Sequence, residues 1–297
     1  MPPELLNKTV APVIYEQTQN LLRLWSEKTR LARGRPFQAD DDVIRNLVDV
    51  ILSVTYGMGA GVINGQLSLL AQTSSIRLPD CLDAPPSFPE VREPRIYTAI
   101  RTLVNSIQIG MSSPFPKYHM LLALYLSPSL VLTRYYTKWV TVKVLQKSWS
   151  KFSQDPESPA HSAADLLVRR EIRMASKEVR EARYNTQAIR DELFGFYLAG
   201  HETTSTTLCW AFKHATAHQD AQRKLRQALH STHTRAYQEG RLPTPDEIVH
   251  ADCPYLDAFI EENHRLGLAI PSVIRRATKD CVVLGHNIPK GTESSCS

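Results

Sequence analysis

The sequence predicts a mainly α-helical fold with a minor β-sheet. Apolar residues recur at helical spacing through most of the chain, and short alternating segments occur only near its end. The 297 residues are 42% hydrophobic and 22% charged, which is ordinary globular usage and allows a sizeable core. The formal net charge of +5 is spread along the chain, so its pattern gives no indication of nucleic-acid binding.

The first half of the chain shows a series of helical patterns separated by breakers. Asp40, Asp41 and Asp42 suit the positive end of a helix dipole, so a helix is predicted to begin there. The segment 58–90 is rich in Gly, Ser and Pro and is predicted to be a loop. The helices predicted in this half cover residues 4–32, 40–57, 92–109, 129–152 and 163–182, with a proline-marked turn at 113–116.

The second half contains the longest helical pattern. Large apolar residues from Thr186 to Ala217 predict one long, mostly buried helix. Further helices are predicted over 221–230, 245–249 and 254–268. The tail alternates better, and residues 282–283 and 287–288 are predicted to be short strands joined at Gly285.

Cysteine usage and the chain start indicate a reduced, intracellular protein. The five cysteines are widely spaced, odd in number and never in a Cys-x-x-Cys pair, which argues against a disulfide framework and a structural zinc site. No signal peptide is visible after Met1-Pro2-Pro3-Glu4. The longest apolar stretch, 121–132, is too short to span a bilayer, so no transmembrane anchor is predicted.

A polar patch interrupts the long helix at Ala199-Gly200-His201-Glu202-Thr203-Thr204. A mid-helix Gly costs about 1 kcal/mol relative to Ala, and a buried carboxylate costs several unless it is paired. Two readings remain open. One is a packing glycine beside a solvated Glu202, and the other is a widened groove that holds a small ligand, with Glu202 and Thr203 relaying protons.

Metal-binding readings of this helix are weak. Ser205 stands where a zincin motif would need its second histidine after His201-Glu202. His214 and His218 lie one turn apart, but no third ligand is evident, so an exposed pair is the simpler interpretation.

A second motif occurs in the segment 254–266. Glu262 and Arg265 are three residues apart and therefore share a helix face. Alone, this common spacing indicates only a weak surface ion pair.

In this order and at this distance, the two motifs resemble the cytochrome P-450 (haem-thiolate monooxygenase) family. That family carries Ala-Gly-x-(Asp/Glu)-Thr-(Thr/Ser) on its long central helix, followed by Glu-x-x-Arg, Arg-x-x-x-Asp and Ile-Pro-x-Gly-Thr. The last two correspond here to Arg276 with Asp280 and to the turn 288–292. The resemblance covers most of the chain, and the residues of its last motifs resemble those of fungal members.

The resemblance implies roles for the matched residues. Ala199, Gly200 and Thr204 would line the oxygen groove, and Glu202 and Thr203 would deliver protons for oxygen activation. Glu262 and Arg265 would form a buried structural pair. Arg276 would lie near a haem propionate, although Arg275 is an alternative for that place.

The resemblance also implies haem as cofactor, a small lipophilic substrate and an NADPH-dependent reductase as partner. The apolar, aromatic-rich region 114–140 is suited to form the upper wall of an apolar substrate pocket. Fungal secondary metabolism is the implied setting, and members of the family lie on the endoplasmic reticulum membrane.

The sequence departs from the family at the haem ligand. No Phe-x-x-Gly-x-x-x-Cys-x-Gly loop occurs, and Cys296 lies in a tail without the required Phe or Gly, so the axial cysteine is absent. Residues 1–297 are therefore expected to form a single partial domain, truncated at both ends and inactive as written. The alternatives are a non-catalytic remnant and an unrelated helical partner-binding protein.

Overall fold

The structure is a computed structural model that describes residues 6–270 and 273–296. The predicted start of the first helix at residues 4 and 5, and the leading Met1-Pro2-Pro3-Glu4, lie outside the described residues. The contacts divide the chain into two units. Unit 1 comprises residues 1–205 and 233–251, and unit 2 comprises residues 206–232 and 252–297.

Unit 1 is helical throughout its regular structure. A π-helical turn, Leu6–Val10, leads into its first α-helix. Its helices are α1 (Ala11–Ala32), α2 (Asp40–Tyr56), α3 (Val62–Gln72), α4 (Arg95–Met111), α5 (Pro116–Leu126), α6 (Pro128–Gln154), α7 (Ala163–Lys177), the first part of α8 (Gln187–Ala217), α10 (Thr234–Gln238) and α11 (Pro245–Val249).

Two apolar clusters hold unit 1 together. The larger joins α2, α4, α6 and α7 to α8 and includes Leu52, Leu145, Phe152 and Leu193, each at most 1% exposed. The smaller joins α1 to α3 through residues such as Leu24. Burying such side chains supplies the main driving force for folding, so the N-terminal part of α8 is anchored by its apolar residues.

Two buried carboxylates of unit 1, those of Asp42 and Asp49, are paired. The Asp42 carboxylate accepts hydrogen bonds from Lys28 Nζ at 2.7 Å and from Trp25 Nε1 at 3.1 Å, which ties α2 to α1. Asp49 accepts from the backbone N–H groups of Gly61 and Ile63 at 2.8 and 3.1 Å, so it caps the start of α3. Burial raises the pKa of Asp49, and these backbone donors oppose the rise.

Unit 2 contains the rest of α8, two further helices and four short strands. Its helices α9 (Gln219–Thr232) and α12 (Pro254–Leu266) pack on each other. The strands are β1 (Val273–Arg276), β2 (Cys281–Val283), β3 (His286–Ile288) and β4 (Glu293–Cys296). They form two antiparallel pairs, β1 with β4 and β2 with β3. The mainly helical class with a minor sheet is confirmed.

Several boundaries follow the sequence pattern. Residue Gly57 ends α2 in the left-handed conformation with φ 70°, as a C-terminal glycine does. The side chain of Thr186 caps α8 by accepting a hydrogen bond from Ile189 N at 3.3 Å. The β2–β3 hairpin turns through Leu284 and Gly285, both with positive φ, as the tight turn requires.

Other expectations are corrected. The predicted loop 58–90 contains helix α3, and the region after the proline turn contains helix α5. The helix predicted over 163–182 ends at Lys177. The long helix is less buried than expected, since its buried residues are Leu193, Tyr197, His201 and Ser205. Within the described residues, every helix is too short or too polar to cross a membrane.

Candidate functional site

The polar patch of α8 divides into a buried side and an open side. His201 is 5% exposed, whereas Ala199, Glu202 and Thr204 are exposed and Thr203 is half-buried. An α-helix places residues four apart on one face, so Ala199 and Thr203 share the open side. Glu202 borders them, and the structure thus places these predicted residues on an accessible face of unit 1.

The Thr203 side chain is bonded back to its own helix. Its Oγ1 donates a hydrogen bond of 2.7 Å to the carbonyl oxygen of Ala199. This bond satisfies the hydroxyl proton and leaves the oxygen lone pairs free to accept from a water or an acid. The hydroxyl is therefore held at the open face with its acceptor capacity available.

Gly200 serves as a packing glycine. A Cβ at this position would stand 2.5 Å from Ile51 Cδ1 and 3.0 Å from Ile51 Cγ1. The hydrogen of Gly200 therefore faces the Ile51 side chain of α2, which would have to shift to admit a methyl group. Of the two readings of this glycine, the packing role is the one that the contact supports.

The buried side of the patch is a row of stacked polar and aromatic groups. The His201 ring lies 4.7 Å from the Tyr197 ring, and His201 Nδ1 donates to the Tyr197 carbonyl oxygen at 3.0 Å. Tyr197 is 1% exposed, and burial raises its pKa above the ordinary value of a phenol. Tyr197 therefore stays neutral, and this side of α8 is structural.

The open face of α8 carries small residues at successive turns, Gly195, Ala199 and Thr203. A Cβ built at Gly195 meets no atom within 4 Å, which means that the helix surface one turn before Ala199 is clear. Phe196 borders this surface and is 38% exposed. Small side chains next to an aromatic ring suit the approach of a planar macrocycle, so the residues present on this face fit the group.

The predicted Glu262–Arg265 pair forms within α12 but is exposed. Arg265 Nε and an Nη atom donate to the two carboxylate oxygens of Glu262 at 2.7 and 2.6 Å. The hydrogen bonds from Arg265 lower the pKa of the Glu262 carboxyl. The two side chains are 67% and 54% exposed, so the expected burial is wrong for the described part of the chain. In unit 2, α12 turns a different face, that of Asn263 and Gly267, towards its neighbours.

A residue that the sequence reading missed connects α12 to α8. Asn263 is 3% exposed, its Nδ2 donates to the Thr207 carbonyl oxygen at 3.0 Å, and its Oδ1 accepts from His214 Nδ1 at 2.9 Å. A Cβ at Gly267 would lie 2.8 Å from the Trp210 ring, so α12 and α8 approach closely there. The polar Asn263 within the Glu262–Arg265 motif was the signal in the sequence that could have indicated this contact.

The motif residues of the β-segment have structural partners. Arg276 donates to Glu293 across the β1–β4 pair, in which the two residues are opposite each other. Arg275 makes no ion pair among the described residues, and its guanidinium donates to the Ile274 carbonyl oxygen. Asp280 accepts from Lys290 N at 2.7 Å, so the Arg-x-x-x-Asp acid fixes the Ile-Pro-Lys-Gly-Thr turn.

A cavity of about 680 Å³ lies in unit 1 between α4, α5, α6 and the start of α8. Its walls are mainly aliphatic and aromatic, and include Ile100, Leu103 and Phe194. Eight of the twenty lining residues are polar or charged, so the cavity suits a small molecule that is apolar over much of its surface and carries a polar group. The predicted pocket region 114–140 supplies part of this wall, including Met120 and Tyr135.

The comparisons identify the family of this mainly helical chain. The family model described as cytochrome P-450 matches residues 2–296, so the chain belongs to the cytochrome P-450 family. An unrelated helical protein is therefore excluded.

Fungal proteins are among the similar sequences. The chain is 39% identical over 301 residues to cytochrome P-450 monooxygenase GME11363 of Pestalotiopsis microspora, covering 100% of the chain and 52% of the relative. It is 31% identical over 304 residues to cytochrome P-450 monooxygenase TRI13 of Fusarium sporotrichioides, covering 99% and 51%. The chain thus spans about half the length of these relatives.

Solved structures agree with the fold. A crystal structure of the cytochrome P-450DA haem domain matches with a TM-score of 0.65 at 15% identity, covering 99% of this chain and 54% of that one. A zebrafish cytochrome P-450 with abiraterone matches with a TM-score of 0.57 at 18% identity, covering 98% and 57%. These matches show the cytochrome P-450 fold.

Proposed function

We propose that the chain contributes the oxygen-activation helix and the substrate cavity of a haem-dependent monooxygenase of fungal secondary metabolism. Its substrate is a small lipophilic molecule. The open face of α8, where Ala199 and Thr203 stand beside the exposed Glu202, is the observation that carries the proposal. One relative is a cytochrome P-450 monooxygenase of a named gene cluster in Dothistroma septosporum, which supports the biosynthetic setting. Because the family match runs through both units, we treat residues 1–297 as one partial cytochrome P-450 domain.

Bound haem supplies the activation of dioxygen, and the α8 residues supply protons and shape. The Glu202 carboxylate is exposed, so its oxygens are accessible to water. Thr203 Oγ1, whose own proton is held by the Ala199 carbonyl, accepts a hydrogen bond from that acid or from an ordered water. Glu202 thus serves as the proton source, and Thr203 holds the acid or the water in position for delivery of the proton, which is a general-acid task. Ala199 leaves the space beside Thr203 open.

The remaining matched residues are assigned positioning roles. Glu262 and Arg265 orient α12 through their bidentate pair, and Asn263 connects that helix to the last part of α8. Arg276 and Arg275 are alternative partners for a haem propionate, since a guanidinium matches a carboxylate in geometry. Arg276 already pairs with Glu293, so Arg275 carries the more available charge.

The haem iron of this family needs a cysteine that these residues do not include. No Phe-x-x-Gly-x-x-x-Cys-x-Gly sequence occurs among the 297 residues. A thiolate ligand donates electron density that favours cleavage of the oxygen–oxygen bond. Residues 1–297 by themselves therefore lack thiolate-dependent activity. Added haem should give no thiolate-type band with carbon monoxide, and a clean band of that type would contradict this statement.

The proposed redox partner and location of the protein are those that the resemblance to the family implies. An NADPH-dependent reductase delivers electrons, and the endoplasmic reticulum membrane is the site of action. Support for the location comes from α5, whose described residues include no buried side chain and whose Leu122 and Leu126 are 54% and 72% exposed. The segment between Pro94 and Gln154, which includes α5, has no Asp or Glu. Its exposed surface therefore carries basic and apolar side chains but no acidic ones.

A chimera tests the proposed function. Residues 1–297 replace the matching half of the Pestalotiopsis microspora relative, whose own remaining half completes the chain. The expected product shows a thiolate-type haem spectrum and consumes NADPH with a reductase. Thr203→Ala should lower the product formed per NADPH by about tenfold or more, because proton delivery is lost.

The matched control is Thr216→Ala. Thr216 Oγ1 makes the same type of back-bond, to the Phe212 carbonyl at 2.8 Å, in the last turn of α8. This variant should leave the yield per NADPH unchanged. Equal effects of the two variants would show that the loss comes from helix geometry and would refute the role of Thr203 in proton delivery.

A further inference from the structure

The cavity of unit 1 combines an apolar wall with an excess of positive charge. Its charged lining groups are Arg134 and Lys138 on α6 and Arg190 and Asp191 on α8. Three cations therefore face one carboxylate. The rest of the α4–α6 wall cannot balance them, because no Asp or Glu occurs between Pro94 and Gln154.

The cations are held by neutral groups. Arg134 donates to the Leu124 carbonyl oxygen at 3.1 Å and stacks over the Tyr125 ring. Arg190 donates to the Asn185 carbonyl at 2.8 Å and to its side-chain oxygen at 2.7 Å. None of these bonds neutralises a charge, so both guanidinium groups keep an unmatched charge beside the cavity.

The remaining two charged groups leave the same imbalance. Asp191 accepts from Gln187 Nε2 at 2.6 Å, and no ion pair of Asp191 occurs among the described residues. Lys138 is exposed, makes no hydrogen bond or ion pair within the described part of the chain, and lies one helical turn from Arg134. The two α6 cations therefore lie on one face at the rim of the apolar cavity.

We propose that the cavity takes a lipophilic carboxylic acid, whose carboxylate lies at the Arg134–Lys138 rim and whose hydrocarbon part fills the apolar interior. This inference rests on the proposed function, because it treats the cavity as the substrate site. A volume of about 680 Å³ accommodates a molecule of drug or fatty-acid size. Lys138 is the residue that selects the acid over a neutral analogue, since its ammonium forms no ion pair with a carboxylate among the described residues.

Binding of a fluorescent acid tests the inference without haem or turnover. The 297-residue chain is titrated with cis-parinaric acid, below its micelle concentration, and with its methyl ester. The acid should bind about three- to tenfold more tightly than the ester at low salt, and the difference should shrink as salt screens the rim. Lys138→Gln should remove most of the preference while leaving the affinity for the ester unchanged.

The control is Lys147→Gln on the same helix. Lys147 is exposed and does not line the cavity, so its loss removes an equal charge without touching the rim. The preference for the acid should survive this change. If Lys147→Gln lowered it as much as Lys138→Gln, the acid would be responding to overall charge and the site would be wrong.

Other outcomes separate this inference from the proposed function. Equal affinity for acid and ester would overturn the acid specificity and leave the cavity as a substrate site. Failure of both probes to bind would overturn the cavity as a substrate site altogether. Binding to phosphatidylglycerol vesicles, without binding of the monomeric acid, would assign the cationic rim to a lipid surface and also overturn the inference.

Discussion

Asn263 Oδ1 lies 2.9 Å from His214 Nδ1, while Asn263 Nδ2 donates to the Thr207 carbonyl oxygen at 3.0 Å. Because the amide nitrogen is used on the carbonyl, the amide oxygen must accept, and His214 therefore carries its proton on Nδ1. One amide thus satisfies two groups of α8 and fixes the tautomer of the histidine.

Replacing this amide should weaken unit 2. Asn263→Ala removes both hydrogen bonds from a side chain that is 3% exposed, so the free energy of unfolding should fall by about 1–3 kcal/mol. Urea unfolding and amide hydrogen exchange over residues 207–217 measure the loss. His264→Ala, at the exposed neighbour, should change stability by less than about 0.5 kcal/mol. Similar losses in both variants would mean that the amide contacts contribute little.

Two glycines of α8 should respond to alanine in opposite directions. Gly195→Ala meets open space and should raise the free energy of unfolding by about 0.5–1 kcal/mol through helix propensity. Gly200→Ala should lower it by about 1 kcal/mol, because the clash with Ile51 exceeds that gain. Chemical denaturation of both variants makes the comparison.

A second substitution locates the cause of the Gly200 effect. Ile51→Val removes the Cδ1 atom that a Cβ at Gly200 would approach to 2.5 Å. In that background, Gly200→Ala should cost much less than in the native sequence. An unchanged cost would show that the methyl group clashes with something else.

The buried ion pair between α1 and α2 should be costly to break from one side. Lys28 is 8% and Asp42 1% exposed, and Asp42→Ala leaves the ammonium without its partner. The free energy of unfolding should fall by about 3–5 kcal/mol. The double variant Lys28→Met, Asp42→Leu should recover most of the loss, whereas Asp41→Ala, on the exposed side, should be nearly neutral. A double variant no better than Asp42→Ala would argue against the charge explanation.

Acid should weaken the start of α11 through Glu247. Hydrogen bonds from Arg241, and then from the Thr244 backbone, lower the pKa of Glu247 to about 2. Because the folded pKa lies below the unfolded value of about 4.3, the contribution of Glu247 is present above that value and is lost as the pH falls towards 2. The wild-type Tm should therefore fall more steeply between these pH values than the Tm of Glu247→Gln.

The comparison variant for the acid prediction is Glu261→Gln. Glu261 is exposed on α12 and makes no hydrogen bond or ion pair with the described residues. Its pH profile should match that of the wild type. If Glu247→Gln showed the wild-type slope as well, the Arg241 contact would not be a source of acid sensitivity.

Local patterns were sufficient for the elements whose ends carry their own signals. The acidic start and Gly57 end of α2, the Thr186 cap of α8 and the Gly285 hairpin were all readable, because each cap or turn is made by a residue within the segment. Helix α3 was missed for the opposite reason. Its start is capped by the Asp49 carboxylate from another helix, and such a tertiary contact leaves no mark in a local pattern.

The candidate site was predicted by motif, and its geometry was only partly accessible from sequence. The order of the motifs was enough to indicate the family, which the comparisons confirm. Sequence could not decide whether Gly200 opens a groove or admits a neighbour, because the answer depends on Ile51, far away along the chain. It also could not show the excess of positive charge at the cavity, since Arg134 on α6 and Arg190 on α8 come to line the same cavity only through folding.

The exposure of the Glu262–Arg265 pair has a further consequence. The ion pair between two side chains that face water contributes little net free energy. Either side chain can therefore exchange its partner for another charged group without disturbing helix α12. Such a pair can open and form a new ion pair with another charged group at little cost in free energy. A segment that places a matching charge on this face of α12 and excludes solvent from it would turn the weak surface ion pair into a strong one. That ion pair would also fix the orientation of the segment on α12.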